Sequence, residues 1–182
     1  MDGNSLYCGC LWEEVGISGR TPANPAFWLY NRKVEQVFLG QFSHNLDDKG
    51  RLMVPARFRD QMVPDGAFVM QGFDQNLMVF PSDKYQELAR RVNQMSLTDS
   101  RARLLKRQVF STADHVDVDK AGRILLPQFL RKFAGLKDES VVIGMGDFFE
   151  IWSPDAWSGQ NAELQDAQAN PDRFSALDLA FT

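Results

Sequence analysis

A chain of 182 residues has room for one or two small domains, and its 44% apolar content suffices for an ordinary folded core. It holds no run of apolar residues long enough to span a bilayer, its start lacks the basic and apolar regions of a secretory leader, and Cys8 and Cys10 define no disulfide framework, so a cytoplasmic setting is expected. The net charge of −4 argues mildly against nucleic acid, but residues 37–152 carry sixteen bases against fifteen acids, which leaves a local basic face open.

Residues 1–36 carry both cysteines, Trp12, Trp28, Pro22 and Pro25, with no period that names an element, and are expected to be poorly ordered. Residues 37–42, rich in β-branched and aromatic side chains, predict a first strand. Asp47-Asp48-Lys49-Gly50 is a turn, residues 51–54 return as a strand, and Pro55 ends it ahead of a short helix over 56–62. Strands are expected at 67–71 and 76–80, then a helix over 83–93 capped by Ser82, with Tyr85, Leu88 and Ala89 on its buried stripe. A second helix over 98–108 shows Arg101, Arg103, Lys106 and Arg107, read as a solvated face.

The pattern then repeats. A strand over 109–118 leads to a turn at Asp119-Lys120-Ala121-Gly122, with a strand at 123–126 and a short helix at 128–133. A hairpin follows from 140–145 and 148–152 around Gly146-Asp147. Ser153-Pro154 opens a last helix containing Trp157, and an acidic tail closes the chain. A constant offset of 72 carries Asp47 onto Asp119, Gly50 onto Gly122, Arg51 onto Arg123, Pro55 onto Pro127, Arg59 onto Arg131 and Gly72 onto Gly144. This is a tandem duplication of one supersecondary unit. A unit of forty-odd residues cannot bury its hairpins alone, so two copies are expected to interlock as one α+β, barrel-like pseudo-dimer. The divisions are an extension over 1–36, a first repeat over 37–83, connecting helices over 84–108, a second repeat over 109–155, and a tail over 156–182.

Asp47 and Arg51, like Asp119 and Arg123, bracket a tight turn at four-residue spacing. One reading is a salt bridge across the hairpin end. The other has the turns presenting Lys49, Arg51, Lys120 and Arg123 to phosphates and base edges, since an arginine can grip guanine O6 and N7 together. His115, Asp117 and Asp119 suggest metal ligands, but they alternate with Val116 and Val118 as the polar face of a strand does, and the first repeat does not duplicate them. No metal and no cofactor is expected. No nucleophile motif or glycine-rich phosphate loop appears, and no enzymatic activity is expected.

At Val37-Phe38-Leu39-Gly40-Gln41-Phe42, Asn45-Leu46-Asp47-Asp48-Lys49-Gly50-Arg51 and Asp119-Lys120-Ala121-Gly122-Arg123, the chain resembles the MraZ family. The resemblance runs from Val37 to about Phe181. It implies two AbrB-like swapped-hairpin halves, rings of many subunits, and a nucleoid-associated transcription factor. That factor is usually a repressor, acting on the promoter of its own cell-division and cell-wall genes. It also implies DNA contacts at Lys49, Arg51, Lys120 and Arg123, with Arg57 as a further candidate, on a frame set by Asp47, Gly50, Pro55, Asp119, Gly122 and Pro127.

Family members resemble this chain only from about Val37, so Val37 is expected to be the true start and residues 1–36 translated upstream DNA. Family operators resemble short direct repeats of TGGG one helical turn apart. Trp12-Glu13 can be encoded only as TGGGA, while Val15-Gly16 and Ser18-Gly19 permit TGGG, each ten nucleotides further on. The expected partner is therefore double-stranded DNA carrying TGGG-like direct repeats, bound by a homo-oligomer with no membrane association and no small-molecule substrate. The alternatives are a ring-forming scaffold acting through protein partners, and an antitoxin-like AbrB module.

Overall fold

The computed structural model describes residues 37–62 and 65–166. The expectations for residues 1–36 and for the end of the tail lie outside the described residues. The strands are β1 (Gln41–Asn45), β2 (Arg51–Met53), β3 (Ala67–Gln71), β4 (Asn76–Pro81), β5 (Asp114–Val116), β6 (Arg123–Leu125), β7 (Glu139–Gly144) and β8 (Phe149–Trp152). The helices are α1 (Ala56–Arg59), α2 (Ser82–Asn93), α3 (Ser100–Ser111), α4 (Gln128–Phe133) and α5 (Pro154–Gln165). None of the described helices is long and apolar enough to cross a membrane.

All strand pairs are antiparallel. Six strands form one sheet in the order β1-β7-β8-β4-β3-β5, and β2 pairs with β6 as a separate ribbon. The two repeats are not separate bodies. From the first repeat, β1 pairs with β7 of the second, and β5 of the second pairs with β3 of the first. The ribbon too takes one strand from each. The α+β composition matches expectation, but the barrel does not. Because β2 and β6 satisfy each other, they join neither edge, and the main sheet stays open at β1 and β5 among the described residues.

Period-two alternation divides the core between the sheet's faces. Along β4, Leu77 and Val79 point into a cluster with Phe38, Leu52, Phe58, Ile124, Leu130 and Phe149, drawn from both repeats beneath the ribbon. Phe58 lies at its centre, with ring centroids 4.9 Å from Phe38 and 5.4 Å from Phe149. Met78 and Phe80 face the other way, packing with Tyr85, Val92 and Val109 under α2 and α3. Val141, Ile143 and Trp152 meet Ala156 and Trp157 of α5.

Several local expectations are corrected. The first strand starts at Gln41 rather than Val37, because Gly40 adopts φ +97° and leaves Phe38 with an isolated bridge to Gly146. Ser82 does not cap α2; its hydroxyl donates to the Asp65 carbonyl at 2.6 Å, and Pro81 holds the cap position. The strand expected over 109–118 is three residues long. Helix α3 runs on to Ser111, since Val109 is buried under the sheet and Thr112 Oγ1 donates to the Gln108 carbonyl at 2.6 Å. Ser153 does cap α5, accepting from the Ala156 amide at 3.3 Å.

Candidate nucleic-acid interface

The two Asp-x-x-x-Arg turns have one construction. In each, the first aspartate folds back onto its own turn: Asp47 Oδ1 accepts from the amides of Lys49 at 3.0 Å and Arg51 at 2.9 Å. Asp119 Oδ1 accepts from Ala121 at 2.8 Å and Arg123 at 3.0 Å. The glycine closes the turn in the left-handed region, with φ +78° at Gly50 and +81° at Gly122. Pro55 and Pro127 each stand at the start of the following short helix, where a missing N–H costs nothing.

The second carboxylate oxygen fixes the arginine. Arg51 Nε donates to Asp47 Oδ2 at 2.6 Å. Arg123 donates to Asp119 Oδ2 from Nε at 2.9 Å and from Nη2 at 2.8 Å. Arg123 Nη1 also reaches Asp47 Oδ2 at 3.5 Å, which joins the turns. These bonds hold the Asp119 carboxyl down to about 2, chiefly through the Arg123 side chain. The Asp47 carboxyl is lowered chiefly by the Arg51 amide, and the Arg123 guanidinium is raised by Asp119.

The ribbon turns these groups outward. Leu52 and Ile124 are fully buried on its inner face. Alternation therefore puts Arg51 opposite Leu125, and Met53 opposite Arg123, on the outer one. Each strand spans about 7 Å from first to last residue, so the turns flank the ribbon closely. Lys49 and Lys120 are exposed at the two tips, beside half-buried Arg51 and Arg123. Both readings of the motif therefore hold geometrically: the arginines form the salt bridge, and the bridge fixes them on an outward face.

Arg57 stands apart. It is exposed on α1 over the Phe42 ring, 5.3 Å from the centroid, and forms no ion pair with the turn carboxylates. The basic residues of α3 divide. Arg101 and Arg107 are exposed, as a solvated face requires. Arg103 Nη1 donates to the Leu97 carbonyl at 2.7 Å and Lys106 Nζ to the Asn93 carbonyl at 3.0 Å, which ties α3 to the end of α2 and the loop after it. His115 is exposed on β5 with Nε2 3.2 Å from the Asp65 carbonyl oxygen. Among the described residues, no group of three metal-ligating side chains is placed to hold an ion.

Sequence reasoning missed Arg59 and Arg131. Each half-buried guanidinium lies on the glycine of the opposite turn, Arg131 on Gly50 and Arg59 on Gly122. Their constant offset was the available signal, but nothing local in the sequence points at a contact between repeats. With them the assembly carries six cations, Lys49, Arg51, Arg59, Lys120, Arg123 and Arg131, against Asp47, Asp48 and Asp119. The formal balance of this group is positive on a chain of negative net charge. Lys49 and Lys120 are exposed and in no ion pair among the described residues, while Arg51 and Arg123 are paired to the aspartates.

The family described as "MraZ protein, putative antitoxin-like" matches the chain twice, over residues 37–108 and 109–177. The protein of Thermomicrobium roseum named transcriptional regulator MraZ is 46% identical over 132 residues, 72% of this chain and 92% of its own length. Relatives of the same name from Roseiflexus castenholzii and Corynebacterium kroppenstedtii are 45% and 39% identical, covering 76% and 79% of this chain and 94% and 99% of their own.

Proposed function

The chain belongs to the MraZ family, and from that premise we propose that it is a sequence-specific, DNA-binding transcriptional repressor without enzymatic activity. Its site is the outer face of the β2–β6 ribbon with its two turns, a ribbon of the width the major groove admits. Arg51 and Arg123 read base edges, guanines first, because each guanidinium is presented already oriented. Lys49 and Lys120 bind phosphates, and Arg57 lies further out along the backbone. The exchange of strands between repeats is read as the AbrB-like swapped hairpin. The observation that carries the reading is the pairing of Arg51 with Asp47 and Arg123 with Asp119 on an outward ribbon face.

The targets are TGGG-like direct repeats upstream of the chain's own cell-division and cell-wall gene cluster, reached in the cytoplasm at the nucleoid. One chain binds one repeat weakly, and a homo-oligomeric ring gains affinity by occupying several. Exposed Leu97 and Leu104, at 67% and 66%, support a protein contact on the α2–α3 hairpin. The test is spacing. Repeats one helical turn apart lie on one side of the duplex, and adding half a turn between them should abolish the gain from multiple sites. Equal affinity for both spacings would contradict the multi-site reading.

A further inference from the structure

The glycines of the two turns serve twice over. Each takes positive φ, and each leaves room that a guanidinium from the other repeat fills. A Cβ at Gly50 would lie 2.6 Å from Arg131 Nε, and one at Gly122 would lie 2.5 Å from Arg59 Nε, with the guanidinium carbons closer still. Each arginine is aimed by its own repeat: Arg59 Nε donates to the Val54 carbonyl at 2.9 Å, and Arg131 Nε to the Leu126 carbonyl at 3.1 Å. Arg59 Nη2 also lies 3.1 Å from Met53 Sδ. Neither arginine forms a salt bridge among the described residues, unlike Arg51 and Arg123.

The backbone crosses in the same sense. The Val54 amide donates to the Gly122 carbonyl, and the Leu126 amide to the Gly50 carbonyl, each at 3.0 Å. So each guanidinium is anchored beside the residue whose amide holds the opposite turn. We propose that Arg59 and Arg131 are positioning residues exchanged between the repeats, each holding in place the turn that the other repeat presents. Arg59 sets the Asp119-to-Arg123 turn, and Arg131 sets the Asp47-to-Arg51 turn. The planar guanidinium covers the glycine α-carbon and excludes other turn conformations, which fixes the separation of Arg51 from Arg123. The consequence for DNA rests on the regulator reading; the crossed support itself does not.

Hydrogen exchange on the full chain tests this, because crossed support leaves a pattern that general loosening does not. Arg59→Gln is expected to speed exchange about fivefold at the amides of 119–123, as local opening becomes easier once the guanidinium no longer covers Gly122, while 47–51 keep their native rate. Arg131→Gln is expected to do the reverse. Arg59→Lys, a milder change should the glutamine variant not fold, keeps the charge but loses the planar fork and is expected to give the same crossed acceleration. Acceleration in the same repeat, equal acceleration in both turns, or rescue by lysine would overturn the proposal.

DNA affinity separates this from the regulator reading. Arg59→Gln combined with Arg123→Ala is expected to be non-additive, and combined with Arg51→Ala additive. Crossed exchange without any preference for the repeats would sustain the positioning role and sink the regulator. Repeat-specific binding with uncrossed exchange would do the opposite.

Discussion

Asp47 Oδ2 and Arg123 Nη1 lie 3.5 Å apart across 76 positions of sequence. The carboxylate that orients the arginine of one turn thereby touches the arginine of the other. Two motifs that look independent in sequence thus meet at one carboxylate, through a contact longer than either turn's own ion pair.

The arginines and lysines of the site should separate by experiment. If Arg123 reads a base edge as proposed, Arg123→Ala is expected to weaken binding to intact repeats by about 1–3 kcal/mol while relaxing sequence preference. Lys49→Ala and Lys120→Ala should weaken intact and scrambled DNA equally, each lowering the slope of log affinity against log salt by about one. Anisotropy over a salt series distinguishes the two behaviours.

Three glycines with nearly the same φ, Gly50, Gly122 and Gly146, form an internal control. Gly146, at φ +80°, has open space where a side chain would go, so Gly146→Ala is expected to cost about 1–2 kcal/mol from the left-handed conformation alone. Gly50→Ala and Gly122→Ala also displace a guanidinium from its carbonyl and should cost about one hydrogen bond more. Urea midpoints compared at constant slope provide the measurement.

Phe58 packs against rings from both repeats. Phe58→Ala is expected to cost about 3–5 kcal/mol and to lower a single unfolding transition, because the repeats share their strands. Two separated transitions would contradict that sharing.

The turn aspartates make a contribution at acid pH of known sign. Asp119 titrates at about 2 in the folded chain, chiefly through the Arg123 side chain, against an ordinary value of 3.8. A depressed carboxyl stabilises fully above the unfolded value and loses that contribution as pH falls through the folded one. Stability should therefore fall between about pH 4 and pH 2, and Asp119→Asn, already without the charge, should flatten that part of the profile. Denaturation midpoints across the acid range would show it.

Much of this was legible in the chain. The offset of 72 gave the duplication, and the Asp-x-x-x-Arg spacing gave turns in which one carboxylate serves both amides and guanidinium. Periodicity found β3 and α4 at their observed bounds. What failed was partnership. Alternation says which face of a strand is buried but not which strand lies beside it, so neither the open sheet nor the crossing of Arg59 and Arg131 could be read. At 109–118, β-branched and aromatic residues suggested a strand, yet burial of Val109 against Met78 and Tyr85 kept that stretch helical to Ser111. At Gly40 a single positive φ moved the start of β1.

Sequence reading by the ribbon is measured by anisotropy of the full chain on duplex DNA carrying three TGGG repeats at ten-base-pair spacing, against the same duplex with the repeats scrambled. A salt-dependent preference for the intact repeats that Arg51→Ala abolishes is expected. Equal binding to both duplexes, or a preference that survives Arg51→Ala, would contradict it.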